Sequence, residues 1–376
     1  MIRAVRVQLI DPSAFTPPYD RALARALASA GADVELITSR FLYGPVPESD
    51  GYRVSESFYR RSARRGLEAR GRRIFKLGEH LPDMLRFRGR LDADLTHYQW
   101  LTVPALDRHL IPHKLPRVMT AHYIASPEPS AGELRRVGRL FGAMDAVIAH
   151  SEAGAARLRD EVGLPGERVR VIPHGVFDYL TGQEYEAPLP EELEGAEGPV
   201  ILMFGLLRPY KGIDVLIEAF AQIDPANRAE LWIVGNPRMD LSELQDAAAR
   251  TAGKVRWLPR FIPDSEIPAI MRRADLLVLP YRDGEQSGVL YTGLAFGKAM
   301  VISDVGGFGE VARTGDAARL VPPDDSAGLA AALDELTADR AAREQLAARA
   351  AVAGSGVFGW QSIAEKTLDL YREVLR

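Results

Sequence analysis

Arg208 and Lys211, two cations three residues apart, sit in "FGLLRPYKGIDVLIEAF", residues 204–220, where an apolar strand hands over to a helix. The helix face is clear, because Ile213, Leu216, Ile217 and Phe220 fall at i, i+3, i+4 and i+7. Free N–H groups and the backbone dipole at such a helix start already favour an anion. Cations added there suit a diphosphate and would stabilise the charge that builds up on a leaving group. The same pair would also suit a solvent-exposed turn with no ligand. Lys211 is expected on an exposed helix start, so that its loss costs little stability. A second stretch, "RDGEQSG" at 282–288, follows the strand "DLLVLPY" and feeds a helix too apolar to be anything but buried. Ligands of open α/β sheets bind beyond the carboxyl ends of the strands. Glu285, Gln286 and Ser287, with the backbone N–H groups of Gly288 and Val289, are therefore expected to face the same crevice as Arg208 and Lys211. An ordinary helix cap by Ser287 is compatible with that reading.

His97, His122, His150 and His174 each fall at or just after the end of an expected strand. No two have metal-ligand spacing, so no metal site is expected. His122, in "VMTAHYI", is the expected hydrogen-bond partner of a sugar or phosphate oxygen, while His150 and His174 read as buried structural residues. Two glycine-rich look-alikes carry no weight. "GSGVFG" at 354–359 follows a helix instead of a strand, and "GLAFGK" is one residue short of a phosphate loop and lies inside the apolar helix.

Short β-rich runs alternate with helical periodicity almost throughout, which predicts βα units and parallel sheets. In the first half strands are expected near Val5–Ile10, Val34–Thr38, Asp94–Tyr98, Arg117–Ala121, Ala146–Ala149 and Val169–Ile172. In the second half they are expected near Val200–Phe204, Ala229–Val234, Val255–Leu258, Leu276–Leu279, Met300–Ser303 and Ala318–Val321. The fold class is α/β, with two doubly wound parallel-sheet domains at residues 1–177 and 199–355. Residues 178–198, acidic and proline-bearing, read as a linker. Residues 356–376 read as an amphipathic helix with Ile363, Leu368, Tyr371 and Leu375 on one face, packing back across onto the first domain.

At 376 residues two domains are the better prior, and the net charge of −4 gives no support for nucleic-acid binding. The chain has no cysteine, which excludes disulfides, thiolate metal sites and a cysteine nucleophile. "MIRAVRVQLIDPS" turns polar after one strand-length run and lacks the pattern of a signal peptide, so a cytoplasmic protein is expected. One segment reverses the charge: Arg60–Lys76, "RRSARRGLEARGRRIFK", holds eight basic residues against Glu68. It suits either a solvated loop or a patch for anionic lipid or a phosphorylated acceptor.

The chain resembles the family-4 (group 1) retaining glycosyltransferases of GT-B architecture over nearly its full length. "FGLLRPYKG" resembles the family's phosphate loop, with Gly205 as its glycine. "ADLLVLPYRDGEQSG…GLAFGKAMVISDVGGFGE" resembles its donor segment, and "DAVIAHSEAGAARL" with "VRVIPHGV" resembles the end of its N-terminal domain. The resemblance implies two Rossmann-like domains with an active site in the cleft between them. It also implies transfer of a sugar from a nucleotide sugar with retained configuration, without metal or other cofactor. Lys211 matches the diphosphate lysine, and His122 the N-domain histidine near the donor sugar. Glu285 and its neighbours match the loop that holds sugar hydroxyls through backbone amides.

Three departures stand out. Leu206 occupies the place of the family's arginine, leaving Arg208 to reach in from two residues on. The family's N-terminal glycine pair is replaced by "DPSAFTPPYD". The second glutamate of a pair eight apart, which grips the donor ribose, falls on Gly293 counting from Glu285, or on Thr292 aligning on Gly297. A neutral Thr292 hydroxyl is the expected substitute, so that Thr292→Glu would tighten nucleotide binding. The acceptor, whether glycan, lipid-linked or small molecule, is left open. A non-catalytic sugar-nucleotide or glycan-binding protein on the same scaffold is the alternative function.

Overall fold

The structure, a computed structural model, describes residues 3–44, 46–64, 72–126 and 128–376, without the side chains of residues 72 and 73. The chain divides into two compact units, residues 1–175 with 360–376, and residues 176–359. The first holds β1 (Arg6–Asp11), β2 (Asp33–Ser39), β3 (Arg53–Phe58), β4 (Leu95–Tyr98), β5 (Arg117–Thr120), β6 (Ala146–Ala149) and β7 (Val169–Val171). They form one sheet in the order β3-β2-β1-β4-β5-β6-β7. The second holds β8 (Val200–Phe204), β9 (Glu230–Val234), β10 (Lys254–Leu258), β11 (Leu276–Leu279), β12 (Ala299–Ser303) and β13 (Arg319–Val321), ordered β10-β9-β8-β11-β12-β13. All pairings are parallel. Both sheets are Rossmann-like. The central strands read as apolar runs, "VILMF", "LLVL" and "AMVI" before Ser303, because helices cover both faces and leave no wet side for alternating polar residues.

β3 is a strand the sequence pattern does not announce. "RVSESF" carries few apolar residues, since it is the sheet's edge and has a neighbour on one side only. Its register with β2 slips at Thr38/Ser39, which sets Phe58 opposite Ser39 and buries it.

Residues 178–198, expected as a linker, lie within the second unit. Leu180 and Leu193 are buried in its core, and Arg256 Nη1 donates to the carbonyls of Glu192 and Glu194. Two well-placed leucines anchor a segment whose composition alone reads as tether.

The helix Trp360–Val374 packs on the first unit. Ile363, Leu368, Leu370 and Tyr371 join Leu9, Leu23, Leu27 and Ile172 in one core cluster. Tyr371 Oη lies 2.6 Å from His97 Nδ1, and Glu373 accepts from Arg170 at 2.9 Å. Leu375, expected on the same face, lies past the helix end and is exposed.

In each sheet the strand order reverses direction once, between β1 and β4 and between β8 and β11. Loops leaving those neighbours diverge to opposite faces and open a crevice at the carboxyl edge.

Candidate active site

In the second unit the crevice lies between the loops after β8 and β11. The chain leaves β8 through Gly205, at φ +109, whose N–H donates to the Val234 carbonyl at 3.0 Å. A Cβ there would stand 3.3 Å from Lys211 Nζ and 3.1 Å from a Val289 methyl, so the missing side chain is what lets these groups gather. Residues 209–211 make one 3-10 turn. Gly212 then takes φ 64 and starts the helix Ile213–Phe220. A side chain at 212 would strike the Pro280 carbonyl at 2.0 Å, so the turn lies directly against the end of β11. Arg282 fastens it there, donating to Asp214 at 2.6 and 2.8 Å and to Asp324 at 2.5 Å.

Lys211 is thereby buried, at 5% exposure, and not on an exposed helix start as expected. Its Nζ donates to Tyr281 Oη at 2.5 Å and stands 4.4 Å from that ring's centroid. Tyr281 Oη lies 3.3 Å from Ser287 Oγ. Among the described residues no carboxylate forms an ion pair with Lys211. Burial first, and the charge of Arg208 second, lower the ammonium pKa to about 8. Arg208 itself is exposed and lines a surface groove with Asp214, Met239, Asp240 and Glu243.

Ser287 stands at the N-cap of the helix Gly288–Ala295, but its hydroxyl makes no cap bond and turns to Tyr281 instead. The first N–H groups of that helix, Gly288 and Val289 among them, therefore have no side-chain acceptor from the cap. Gln286 Oε1 accepts from Tyr291 Oη at 2.5 Å, while Gln286 Nε2 is buried with no hydrogen-bond partner. Glu285 is partly buried, and its carbonyl accepts the Gly307 N–H at 3.2 Å. The left-handed turn at Gly306 packs on the Gly284 carbonyl, which fixes the loop's path.

In the first unit, His122 follows β5 and is partly exposed. It donates from Nε2 to Gln99 Oε1 at 3.0 Å, under a Trp100 ring stacked at 5.2 Å and 12°. His150 Nε2 stands 3.3 Å from His122 Nδ1, and Tyr19 lies edge-on at 4.7 Å. Burial, then the neighbouring His150, His174 and His97, push His122 well below its ordinary range, so it is neutral at pH 7. Burial likewise lowers His150 to about 4 and His97 to about 3. His97 lies within β4, held by Tyr371 and Thr120, and His174 is buried against Gly175. The "DPSAFTPPYD" loop is organised by Asp11, whose carboxylate accepts the N–H groups of Ser13, Phe15 and Thr16. Beside it runs a chain with no counterpart in the sequence reading. Ser13 Oγ lies 2.6 Å from Thr102 Oγ1, Tyr59 Oη donates to Thr102 at 2.9 Å and lies 2.6 Å from His80 Nδ1, and His80 Nε2 lies 2.5 Å from Asp107.

Comparisons with known proteins bear on the family and the fold. The family described as Glycosyl transferases group 1 matches residues 198–339, and Glycosyltransferase Family 4 matches residues 21–177. A D-inositol 3-phosphate glycosyltransferase of Salinispora tropica is 30% identical over 338 residues, 80% of this chain and 68% of that protein. The chain belongs to the family-4, group 1 glycosyltransferases. A protein of the same description from Nocardia farcinica is 28% identical over 284 residues, 70% of this chain and 62% of its own length, so the match spans less than two thirds of that relative. In fold the chain is similar to Anabaena HepE, solved in complex with UDP-glucose, with TM-score 0.69, 21% identity and coverage of 98% of this chain and 100% of that one. Two parallel Rossmann-like sheets in one chain are the GT-B architecture of this family.

Against the family's pattern, both candidate positions for the ribose glutamate are buried. Thr292 is 5% exposed, and its hydroxyl donates back to the Gly288 carbonyl at 2.9 Å, so it is not the free substitute expected. Gly293 faces the sheet: a Cβ there would come within 2.6 Å of both Leu277 and Met300. The helix stands so close on β11 and β12 that this stretch belongs to the core. Tyr281 is the site residue missed by sequence reasoning. Its signal was present, an aromatic two residues past a strand end and six before Ser287.

Proposed function

We propose that this chain is a retaining glycosyltransferase that moves a sugar from a nucleoside diphosphate donor to an acceptor presented on the side of the first unit, without metal or other cofactor. One observation carries the reading: Lys211, a buried ammonium with no carboxylate ion-paired to it among the described residues, at the point where the second sheet reverses its strand order. A buried cation without a counter-charge is costly. A diphosphate entering at the start of the helix Gly288–Ala295 relieves that cost. As the bond from sugar to diphosphate breaks, negative charge grows on the phosphate oxygen, and Lys211 with the free helix N–H groups meets it. The acceptor hydroxyl attacks from the face the diphosphate leaves, passing its proton to the departing phosphate oxygen, so configuration is retained. Neutral His122, its Nε2–H given to Gln99, offers Nδ1 as an acceptor to a sugar hydroxyl without adding charge. The UDP-glucose held by the Anabaena neighbour supports a nucleotide sugar as donor.

Calorimetric titration with UDP, GDP and ADP tests the reading. One diphosphate binds one to one, and its nucleoside alone binds at least about a hundredfold more weakly, since the diphosphate anion supplies the attraction. Slow donor hydrolysis without acceptor, giving a sugar of unchanged anomeric configuration by proton NMR, separates an enzyme from a binding protein. Failure to bind any diphosphate overturns the proposal.

Gln286 gives a sharper check. Gln286→Glu keeps an acceptor for Tyr291 but replaces the unpartnered N–H donors with an anionic oxygen. Donor KM is expected to rise about tenfold or more, because one hydrogen bond is lost and like charges meet, and the melting temperature is expected to fall as well, because the new carboxylate oxygen is buried without a partner.

On the acceptor side we read the basic segment Arg60–Lys76 as a contact for an anionic surface or acceptor. Residues 65–71 of it lie outside the described residues. Among the described residues no helix is long and apolar enough to cross a membrane. Replacing Arg60, Arg61 and Arg64 with Ser is expected to weaken that contact and leave nucleotide affinity unchanged.

A further inference from the structure

In the first unit the strand order reverses between β1 and β4, and open α/β sheets take ligands between the loops that leave such neighbours. Two hydroxyls from those loops meet. Ser13, two residues past β1, and Thr102, four past β4, are half-buried, with their oxygens 2.6 Å apart. Buried Asp11 holds the loop of Ser13 by accepting the N–H groups of Ser13, Phe15 and Thr16. Those bonds keep Ala14 at φ 50, a left-handed backbone uncommon for alanine. This loop is the "DPSAFTPPYD" that replaces the family's glycine pair, so what it builds belongs to this chain.

Behind Thr102 runs a buried line of polar groups that the donor chemistry does not use. Tyr59 Oη gives its hydrogen to Thr102 Oγ1 at 2.9 Å and stands 2.6 Å from His80 Nδ1. His80 Nε2 stands 2.5 Å from Asp107 Oδ1, and the other Asp107 oxygen accepts the Val103 N–H at 2.8 Å. Tyr59, His80 and Asp107 are all buried, so turning the Thr102 hydroxyl away would cost Tyr59 a partner it cannot replace with water. A hydroxyl brings one hydrogen and two lone pairs. Tyr59 takes one lone pair of Thr102, and the bond between Ser13 and Thr102 takes one hydrogen and one lone pair more. One hydrogen and two lone pairs are left to the crevice. They match two adjacent hydroxyls, which both give and take, better than a carboxylate, which only accepts.

An aromatic wall adjoins the pair. Phe15, 56% exposed, stands 5.4 Å from the Trp100 ring, whose Nε1 donates to Thr16 Oγ1 at 2.9 Å. Lys76 Nζ lies 5.9 Å from the Phe15 ring centroid and 4.7 Å from that of Tyr59, which ties wall and line together. Apolar rings beside a few placed polar groups are the usual make-up of a small-molecule site. We propose that Asp107, His80 and Tyr59 are positioning residues that hold the Ser13 and Thr102 hydroxyls as the site for two adjacent hydroxyls of a ring polyol, sugar or cyclitol, that serves as acceptor. The inference rests on the reading that the acceptor is presented by the first unit, and adds the groups that hold it.

The test measures diphosphate release by the full chain from UDP-, GDP- and ADP-glucose, with myo-inositol or methyl α-D-glucopyranoside as the ring polyol. At least one polyol is expected to raise release above that with water alone. Tyr59→Phe, which breaks the line without changing the shape of the ring, and Thr102→Val are each expected to raise the polyol's KM at least about tenfold, the worth of one hydrogen bond. Donor KM and release without polyol should stay within about twofold, a split that a general loss of structure would not give. Thr102→Ser, which restores the hydroxyl, should return the parent's polyol KM. If the variants leave that KM unchanged, or if the parent hydrolyses a donor and neither polyol raises release, the inference falls and the transferase reading stands. If no donor is hydrolysed, the transferase reading falls, and saturation-transfer NMR of the same polyols decides the site by itself. Binding by the parent that is lost in both Tyr59→Phe and Thr102→Val upholds it, and no binding, or equal binding by all three, overturns it.

Discussion

Lys211→Met is expected to abolish sugar transfer and at the same time to raise the melting temperature of the ligand-free protein. The two effects have one origin. Lys211 is held charged in a dry pocket under the Tyr281 ring, with a phenol oxygen as its partner. Its pKa falls from 10.5 to about 8 because burial penalises the ammonium. That shift corresponds to a penalty of roughly 3 kcal/mol on the folded state wherever the group is protonated. The sign follows from proton linkage. Between pH 8 and 10.5 the unfolded chain holds this proton and the folded chain does not, so stability rises with pH across that window. Below pH 8 the penalty is present in full. Methionine fills similar space without charge, so the variant should gain stability at pH 7 and lose the rise above pH 8. Catalysis moves the other way. Removing the charge that meets the leaving diphosphate is expected to lower kcat/KM by about a hundredfold to a thousandfold. In the parent, nucleotide affinity should be flat below pH 8 and fall above it as the ammonium is lost. Calorimetry from pH 6 to 9.5 with a thermal melt of each protein checks all of this. Normal turnover by the variant removes Lys211 from the site, and a lowered melting temperature means the ammonium has a counter-charge.

Restoring the family's glutamate is expected to break the second unit. Thr292→Glu and Gly293→Glu should each cost more than about 3 kcal/mol, read from urea unfolding, because each buries a carboxylate without a partner. At 293 the Cβ alone meets Leu277 and Met300 at 2.6 Å, so even Gly293→Ala should cost about 1–3 kcal/mol from overpacking. Neither glutamate should tighten nucleotide binding. A stable Thr292→Glu protein with improved affinity would show that the helix Gly288–Ala295 turns a different face to the ligand.

What was legible in the sequence follows from what the pattern encodes. Strands such as Val200–Phe204 and Leu276–Leu279 are apolar throughout because both faces are covered, so hydropathy alone locates them. Lys211 and Gln286 were legible as chemistry because they stand just past strand ends. Their burial was not. It depends on Gly205 and Gly212 letting separate loops touch, and on Tyr281 lying over the ammonium, contacts between residues about seventy positions apart. Thr292 failed for a related reason. Spacing assigns it to a motif, but which side of an eight-residue helix meets the sheet is decided by how closely Gly293 lets that helix approach. The edge strand Arg53–Phe58 was missed because an edge has no second neighbour to demand apolar residues.

The return of residues 360–374 to the first unit has a consequence for how the molecule is made. Synthesis delivers residues 1–175 first, but the helix that covers Leu9, Leu23, Leu27 and Ile172 arrives only after all of residues 176–359. During that interval the nascent first unit keeps part of one face of its sheet uncovered, with His97 lacking its Tyr371 partner. The second unit, continuous in sequence, has its whole core in hand earlier and is positioned to fold first, reversing the usual order of folding from the N-terminus. Completion of the first unit therefore waits for the helix Trp360–Val374 to close over Leu9 of β1.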